Sequence, residues 1–291
     1  MSILVFGSLN IDHVYQVEHL VRPGETLPST EYRRFQGGKG ANQSVALARA
    51  GADVFHAGRI GPEGLWLRDA IAAEGVDVTH VGLDSQPTGH AVIQVDPAGE
   101  NSILLYGGAN LTVTSDDAHY VLSHFGEGDW LLLQNEISSL PAILREATER
   151  RMTVAFNPAP MTPEVLKYPL ESVSLFVVNQ TEGAALAEVE DASPASIVDT
   201  LRARYPHAAI LLTLGGEGSL YADGREHIRT PAQPVEAVDT TAAGDTFTGY
   251  FLAGLLAGES VRASLALASR AAALCVTKQG AADSIPRRGE L

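Results

Sequence analysis

VDTTAAGDTFTGYFLAGLLAG, running from Val238 to Gly258, sets a carboxylate, Asp245, behind a run of small residues where an apolar helix begins. The short side chains of Ala242, Ala243 and Gly244 let the backbone approach a ligand closely, and the first amides of a helix have no intrahelical partner. The helix macrodipole adds roughly half a positive charge at that end, so a phosphoryl group gathering negative charge would meet N–H donors already in place. Asp245 could then take the proton of an attacking hydroxyl. An anion hole beside a base is a phosphotransferase arrangement. Taken alone, the stretch also reads as a helix start with an aspartate near its cap.

Toward the other end of the chain a second glycine-rich stretch, FQGGKGANQ from Phe35 to Gln43, leads into SVALARAG, whose apolar spacing is helical and stops at Gly51. Gly37, Gly38 and Gly40 free the backbone to curl around a polar ligand, and Lys39 and Asn42 offer donors to hydroxyls. The glycine spacing that a Walker A loop needs before Gly-Lys-Ser/Thr is missing. No G-x-G-x-x-G follows the first strand, which counts against a Rossmann oxidoreductase. By itself this loop fits a helix-entry turn equally well.

Along the chain, apolar strand-like runs occur at Ile3 to Gly7, Asp53 to Gly58, Trp130 to Gln134, Thr153 to Asn157, Leu175 to Asn179 and Ala209 to Leu214. Helix-like stretches intervene, including Ser44 to Ala50, Leu65 to Glu74, Leu140 to Arg151 and Ser193 to Tyr205. Continuous apolar strands alternating with amphipathic helices predict a doubly wound, mostly parallel α/β sheet covered on both faces. Two regions, Ile11 to Phe35 and Gly89 to Tyr106, break the alternation with pieces such as HAVIQVD and SILLY and too little helix for further parallel units. There are no repeats, low-complexity tracts or linkers.

At 291 residues the chain can bury a substantial core, and 45% hydrophobic with 19% charged residues is an ordinary globular composition. A formal charge of −15 argues against nucleic-acid or anionic-membrane partners. The opening MSILVFG lacks a basic flank and is too short for a signal or a membrane span, so it reads as a first buried strand. The single cysteine, Cys275, excludes an intramolecular disulfide framework; in SLALASRAAALCVT it reads as a buried structural thiol, and a reducing cytoplasm is the expected compartment. None of the nine histidines falls at a metal-binding spacing.

The two glycine-rich stretches, taken with GSLNIDH (Gly7 to His13), PGET (Pro23 to Thr26), QNE (Gln134 to Glu136), NPAP (Asn157 to Pro160), NQTE (Asn179 to Glu182), TLGGEGS (Thr213 to Ser219) and GAADSIP (Gly280 to Pro286), resemble the ribokinase family of carbohydrate kinases over nearly the whole chain. The resemblance implies one kinase domain over 1–291, with a small β-sheet lid formed by about 11–36 and 88–107 that projects over the sugar site. In family members the lid often pairs with that of a second subunit, so a homodimer through the lid is expected.

The same resemblance implies site residues, position by position. Asn10, Asp12, Gly38, Lys39, Gly40, Asn42 and Glu136 fall where the family grips sugar hydroxyls; read without it, Asp12 suits a strand-end turn and Glu136 a solvated strand-to-helix junction. Asn179 and Glu182 would organise magnesium and the ATP phosphates, the glutamate acting through water. Thr213, Leu214, Gly215, Gly216, Glu217 and Gly218 match the loop beside the nucleotide, although alone they read as a hairpin turn. A potassium ion is implied at Asp239 and Ser284 through side-chain oxygens and at Thr241, Cys275, Lys278 and Gly280 through carbonyls, whereas Asp239 alone could cap a turn.

One segment departs from the family pattern. RIGPEGLW, Arg59 to Trp66, carries Pro62 and Glu63 where an acidic pair is common, and His90 stands where an apolar residue is more frequent. The implied reaction is transfer of the γ-phosphoryl group of ATP to a furanose hydroxymethyl oxygen, O5 of D-ribose first among them. Asp245 would act as base, and the amides of Ala242, Ala243 and Gly244 would hold the transferring group. Another sugar or a nucleoside, or a sugar-sensing protein without turnover, are the alternatives.

Overall fold

Ile3–Phe6 (β1), with the sequence ILVF, is buried on both sides: Ile3 and Val5 join one apolar core, Leu4 and Phe6 the other. Two cores flanking one central strand require cover on both faces of the sheet, which helices provide. The computed structural model describes residues 1–291 throughout. Along the chain β1 is followed by β2 (Asn10–Gln16), β3 (Glu31–Gly37), α1 (Lys39–Arg49), β4 (Val54–Ile60), α2 (Leu65–Ala73) and β5 (Asp77–Leu83). Next come β6 (Gly89–Val95), β7 (Asn101–Tyr106), α3 (Ser115–Leu122), β8 (Trp130–Gln134), α4 (Leu140–Glu149), β9 (Thr153–Asn157) and β10 (Leu175–Asn179). The chain closes with α5 (Gln180–Ala187), α6 (Pro194–Arg204), β11 (Ala209–Thr213), β12 (Ser219–Ala222), β13 (His227–Thr230), α7 (Ala243–Leu256) and α8 (Val261–Cys275).

Nine strands form one sheet in the order β13-β12-β11-β10-β9-β8-β1-β4-β5, parallel from β11 to β5, with an antiparallel edge of β12 and β13. Helices α1, α2, α7 and α8 cover one face, and α3 to α6 the other. The predicted doubly wound sheet is therefore present. From β1 the chain runs outward through β4 and β5, then returns to β8 on the other side of β1. This leaves a topological switch point between β1 and β8, the place where open α/β sheets bind ligands beyond their strand ends.

The two segments that break the alternation build a separate four-stranded sheet, β3-β2-β6-β7, in which β2 and β6 pair in parallel and the outer pairs are antiparallel. Side chains alternate across it. The register puts Asp12 on one face with Ala91, Ile93, Ile103 and Leu105.

The helix expected from Ser44 starts at Lys39 instead. Gly38 takes φ 91° and turns the chain, so the helix begins directly behind it. Gly40 is thus not part of a curling loop but lies in the first turn, where a Cβ would come 2.5 Å from the Ser8 nitrogen. Its role is close approach of α1 to the end of β1.

Candidate functional site

Past the C-terminal end of β1, Gly7 and Ser8 face Gln134, the last residue of β8, and Glu136 beyond it, at the switch point. Ser8 Oγ donates to Glu136 Oε2, which also accepts from the Lys39 amide at 3.1 Å, while Ser8 Oγ accepts from the Gly40 amide at 3.2 Å. This clamp pins the start of α1 over the sheet edge. α7 packs across α1 so closely that a Cβ on Gly249 would lie 2.4 Å from that of Ala46. The fit brings the first turns of the two helices together.

Asp245, 9% exposed, sits there. Its Oδ2 accepts from Asn42 Nδ2 at 3.1 Å and its Oδ1 from Gln43 Nε2 at 2.8 Å. Burial pushes its carboxyl upward, and Lys39 and the two amides oppose that shift. Lys39 is in turn held above the usual range by the charge of Asp245, with Glu136 and Glu182 adding to it. The pair stands at the mouth of a cleft of about 210 Å³ whose wall includes Asn179, Glu182, Thr213, Ala242, Gly244 and Thr248. A groove of about 260 Å³ between α6 and the β12–β13 edge is larger but remote from these groups, so chemistry rather than volume locates the site.

Ala242 adopts a left-handed backbone, φ 59°, an arrangement that costs about 1–3 kcal/mol in a non-glycine residue. That turn leaves the amides of Ala242, Gly244 and Asp245 without a backbone acceptor. The Ala243 amide differs from expectation, since it already donates to the Thr240 carbonyl at 3.2 Å. The anion-binding donors left free are therefore Ala242 and Gly244, with Asp245 beside them.

On the other side of Lys39, Asp12 accepts no hydrogen bond. Burial, then the nearby charge of Glu136, pushes its carboxyl up to about 7. Its oxygens lie where a Cβ on Gly37 would be, 2.2 Å from Oδ2, so only glycine fits at that position. Glu136 is itself raised, mainly by burial. Asn10 Oδ1 accepts from Asn110 Nδ2 at 2.7 Å, and Asn110 Oδ1 accepts from the Leu9 amide at 3.1 Å. Asn110, absent from the sequence expectations, secures the strand exit that carries Asn10 and Asp12.

Across the cleft, Asn179 caps α5. Its Oδ1 accepts from the Glu182 amide, while Glu182 accepts from the Asn179 amide at 3.0 Å and from Nδ2 at 2.8 Å. This capping box holds both side chains at the rim. Thr213 lines the cleft, whereas Leu214 to Gly218 form the β11–β12 hairpin turn beyond its wall. The oxygen-rich residues expected around potassium also meet. Asp239 accepts from Thr241 N and Oγ1 and from Gly280 N, Cys275 Sγ lies 3.0 Å from Ser284 Oγ, and the Lys278 amide donates to the Cys275 carbonyl. Burial raises the Asp239 carboxyl, but those donors outweigh it and leave it lowered overall.

RIGPEGLW leaves the entry to α2 intact: Pro62 starts a short 3₁₀ turn, and Glu63 accepts from the Thr88 amide at the root of β6. His90 lies on the face of the four-stranded sheet opposite Asp12, in ring contact with His13 and Tyr106. Sequence reading quoted Gln43, Gln134 and Asn157 within motifs without giving them roles. Gln43 meets Asp245 across 202 positions of chain, and Gln134 and Asn157 meet Gln43 across 91 and 114, contacts that no local pattern reveals.

Comparison with known proteins agrees with this geometry. The profile of the pfkB family carbohydrate kinases matches residues 1–288. A ribokinase of Haemophilus influenzae is 37% identical over 99% of this chain and 96% of its own length. The crystal structure of a ribokinase from Cryptococcus neoformans in complex with ADP superposes with a TM-score of 0.88 at 36% identity, covering 100% of this chain and 98% of that one. An Arabidopsis thaliana ribokinase complexed with ribose and ATP gives a TM-score of 0.87 at 30% identity, over 99% and 96% of the two chains.

Proposed function

The chain belongs to the pfkB family of carbohydrate kinases, and from that membership we propose that it transfers the γ-phosphoryl group of ATP to O5 of D-ribose. The observation that carries the proposal is the meeting of Asp245 and Lys39 with two free helix-start amides at one end of a cleft whose far rim holds Asn179 and Glu182. Asn10, Asp12, Asn42 and Glu136 hold the sugar, with Gly38 turning the chain beside them and Gly40 letting α1 close on the end of β1. Asp245 takes the proton of the attacking hydroxyl. The amides of Ala242 and Gly244 receive the charge on the transferring group, and Lys39 balances it.

Glu182 and Asn179 suit magnesium held through water, because each keeps unused lone pairs at the cleft rim while tied to the other. When bound, magnesium supplies charge neutralisation on the nucleotide phosphates. Asp239, Ser284 and the carbonyls of Thr241, Cys275, Lys278 and Gly280 are an all-oxygen set suited to potassium. These residues tie the loop ahead of Ala242 to the end of α8, so their order bears on the amides and not on the sugar. Thr213 and the turn from Leu214 to Gly218 flank the nucleotide.

We propose further that the protein works in the cytoplasm as a homodimer joined through the lid, a reading supported by its unpaired buried cysteine and by the exposed apolar side chains of Ile103, Leu104, Leu105 and Tyr106 on β7.

The test is ADP release with ATP, magnesium and a panel of sugars. D-ribose is expected first, 2-deoxyribose poorer by about 5–150-fold in kcat/KM because a lost hydroxyl strands a buried partner, with fructose and nucleosides behind. A better rate with fructose or a nucleoside would overturn the choice of ribose, and absence of turnover with every sugar would overturn the kinase reading.

A further inference from the structure

Behind Asp245 lies a chain of amides whose direction is dictated from its far end. Asn157 Nδ2 donates to the main-chain carbonyl of Val177 at 2.8 Å; a carbonyl only accepts, so Asn157 must turn Oδ1 toward Gln43. Gln43 Nε2 donates to that oxygen at 3.3 Å and to Asp245 Oδ1 at 2.8 Å. Its Oε1 accepts from Gln134 Nε2 at 2.6 Å. Reversing Gln43 would set its oxygen against two acceptors and its NH₂ against the NH₂ of Gln134. All three amides are at least nine-tenths buried, Asn157 alone reaching the wall of the cleft.

Gln134 is the telling member. It ends an otherwise apolar strand, WLLLQ, and its Oε1 has no partner, lying where a Cβ on Gly7 would come within 2.2 Å. A buried amide with an orphaned acceptor serves the structure through its donor alone. Lys39 from α1 supplies charge near Asp245 but no direction, since its Nζ makes no hydrogen bond; Glu136 beyond β8 and Glu182 from α5 are the other charged groups around this pair.

We infer that Gln134 and Asn157 are positioning residues for phosphoryl transfer: acting through Gln43, they hold its amide with nitrogen toward Asp245, so that the carboxylate meets a donor and never a second acceptor. This rests on the reading of Asp245 as the base. Neither residue needs to touch the sugar hydroxyl. The polarity of the base's surroundings is thus set by a strand carbonyl three side chains away.

The experiment is a double-mutant cycle of Gln134→Met and Gln43→Met in the full-length protein, with kcat and sugar KM followed across the acid limb of the pH profile. Gln134→Met should lower kcat by about 10- to 100-fold with sugar KM little changed. It should move the acid limb to higher pH, because Gln43 loses the donor that fixes its oxygen and, held by Asn157 alone, keeps its NH₂ less firmly on Asp245. In the Gln43→Met background the same change should add nothing. Additive losses, or an equal loss at every pH, would overturn the inference. Asn157→Leu provides the same reading if Gln134→Met does not fold. Wild-type protein labelled with ¹⁵N at glutamine side chains tests the polarity without turnover. The Gln43 NH₂ should be protected from exchange and shift in Asp245→Asn, and a freely exchanging NH₂ would overturn the inference even if no sugar proved to be a substrate.

Discussion

Asp245 is a carboxylate that its own burial would neutralise, and the role of base proposed for it depends on what opposes that burial. Asn42, Gln43 and Lys39 together keep the ionised form accessible. Asp245→Asn preserves shape but removes the proton acceptor, so turnover should fall by about 10²–10⁴-fold while sugar affinity, measured by calorimetry, changes far less. Asp12 presents the opposite case, a buried carboxyl with no donor. Its folded value, about 7, lies above the ordinary 3.8, so between those values the native protein holds a proton that the unfolded chain has lost. Stability should therefore fall as pH rises through that window, and Asp12→Asn should flatten this part of the curve in denaturant titrations. Ribose hydroxyls donating to the carboxylate should make sugar binding tighten as pH rises through about 7, with protons released in calorimetry. Asp245, Asp12 and Lys39 were legible in the sequence because they sit inside motifs. Asn110 and the direction of the Gln43 amide were not, since each depends on partners 91 to 202 positions away.

Among the elements, long amphipathic segments such as α4 and α6 fell close to their expected bounds, because an apolar stripe survives small errors at the ends. α5, reading QTEGAALA, has too few large apolar residues to show a period, and α8 is rich in alanine around much of its circumference; neither stood out. The short antiparallel strands β12 and β13 were hidden for a related reason, four residues each being too few for alternation to register. Contact between elements also has consequences that no single element predicts. Gly249→Ala would place a methyl where α7 touches α1 and should cost about 1–3 kcal/mol in chemical denaturation, with a further loss of turnover as Asp245 moves from Asn42 and Gln43. The loop that leads into α7 is tied by Asp239 to Thr241 and Gly280. Potassium should accordingly raise activity over lithium at equal ionic strength, and Asp239→Ala should remove most of that response in the same assay.

At the scale of the molecule, a formal charge of −15 means that ATP approaches a repulsive surface, so local amides, Lys39 and bound cations must make the site favourable. The four-stranded sheet projects Ile103 and Leu105 on the same face as Asp12, both more than half exposed. If the proposed dimer forms through this face, their double replacement by glutamate should convert it to a monomer in size-exclusion chromatography with light scattering. The broad architecture was readable because seven parallel strands recur with helices between them, whereas the pairing of β2 with β6 across 79 positions, Asn10 against Gly89, was not. The cleft lies beyond one rim of the sheet, at the ends of β1, β8, β9, β10 and β11, with the first turns of α1 and α7 set over it. The opposite rim, where the chain enters β4, β5, β8 and β9, carries connections with exposed residues at Gly51, Gly75, Glu127 and Arg151 that touch none of the groups around that cleft. A kinase organised in this way has a working edge and an idle one. The idle edge is where a circular permutation or an inserted reporter domain could be accommodated, with the catalytic edge left in its native connectivity.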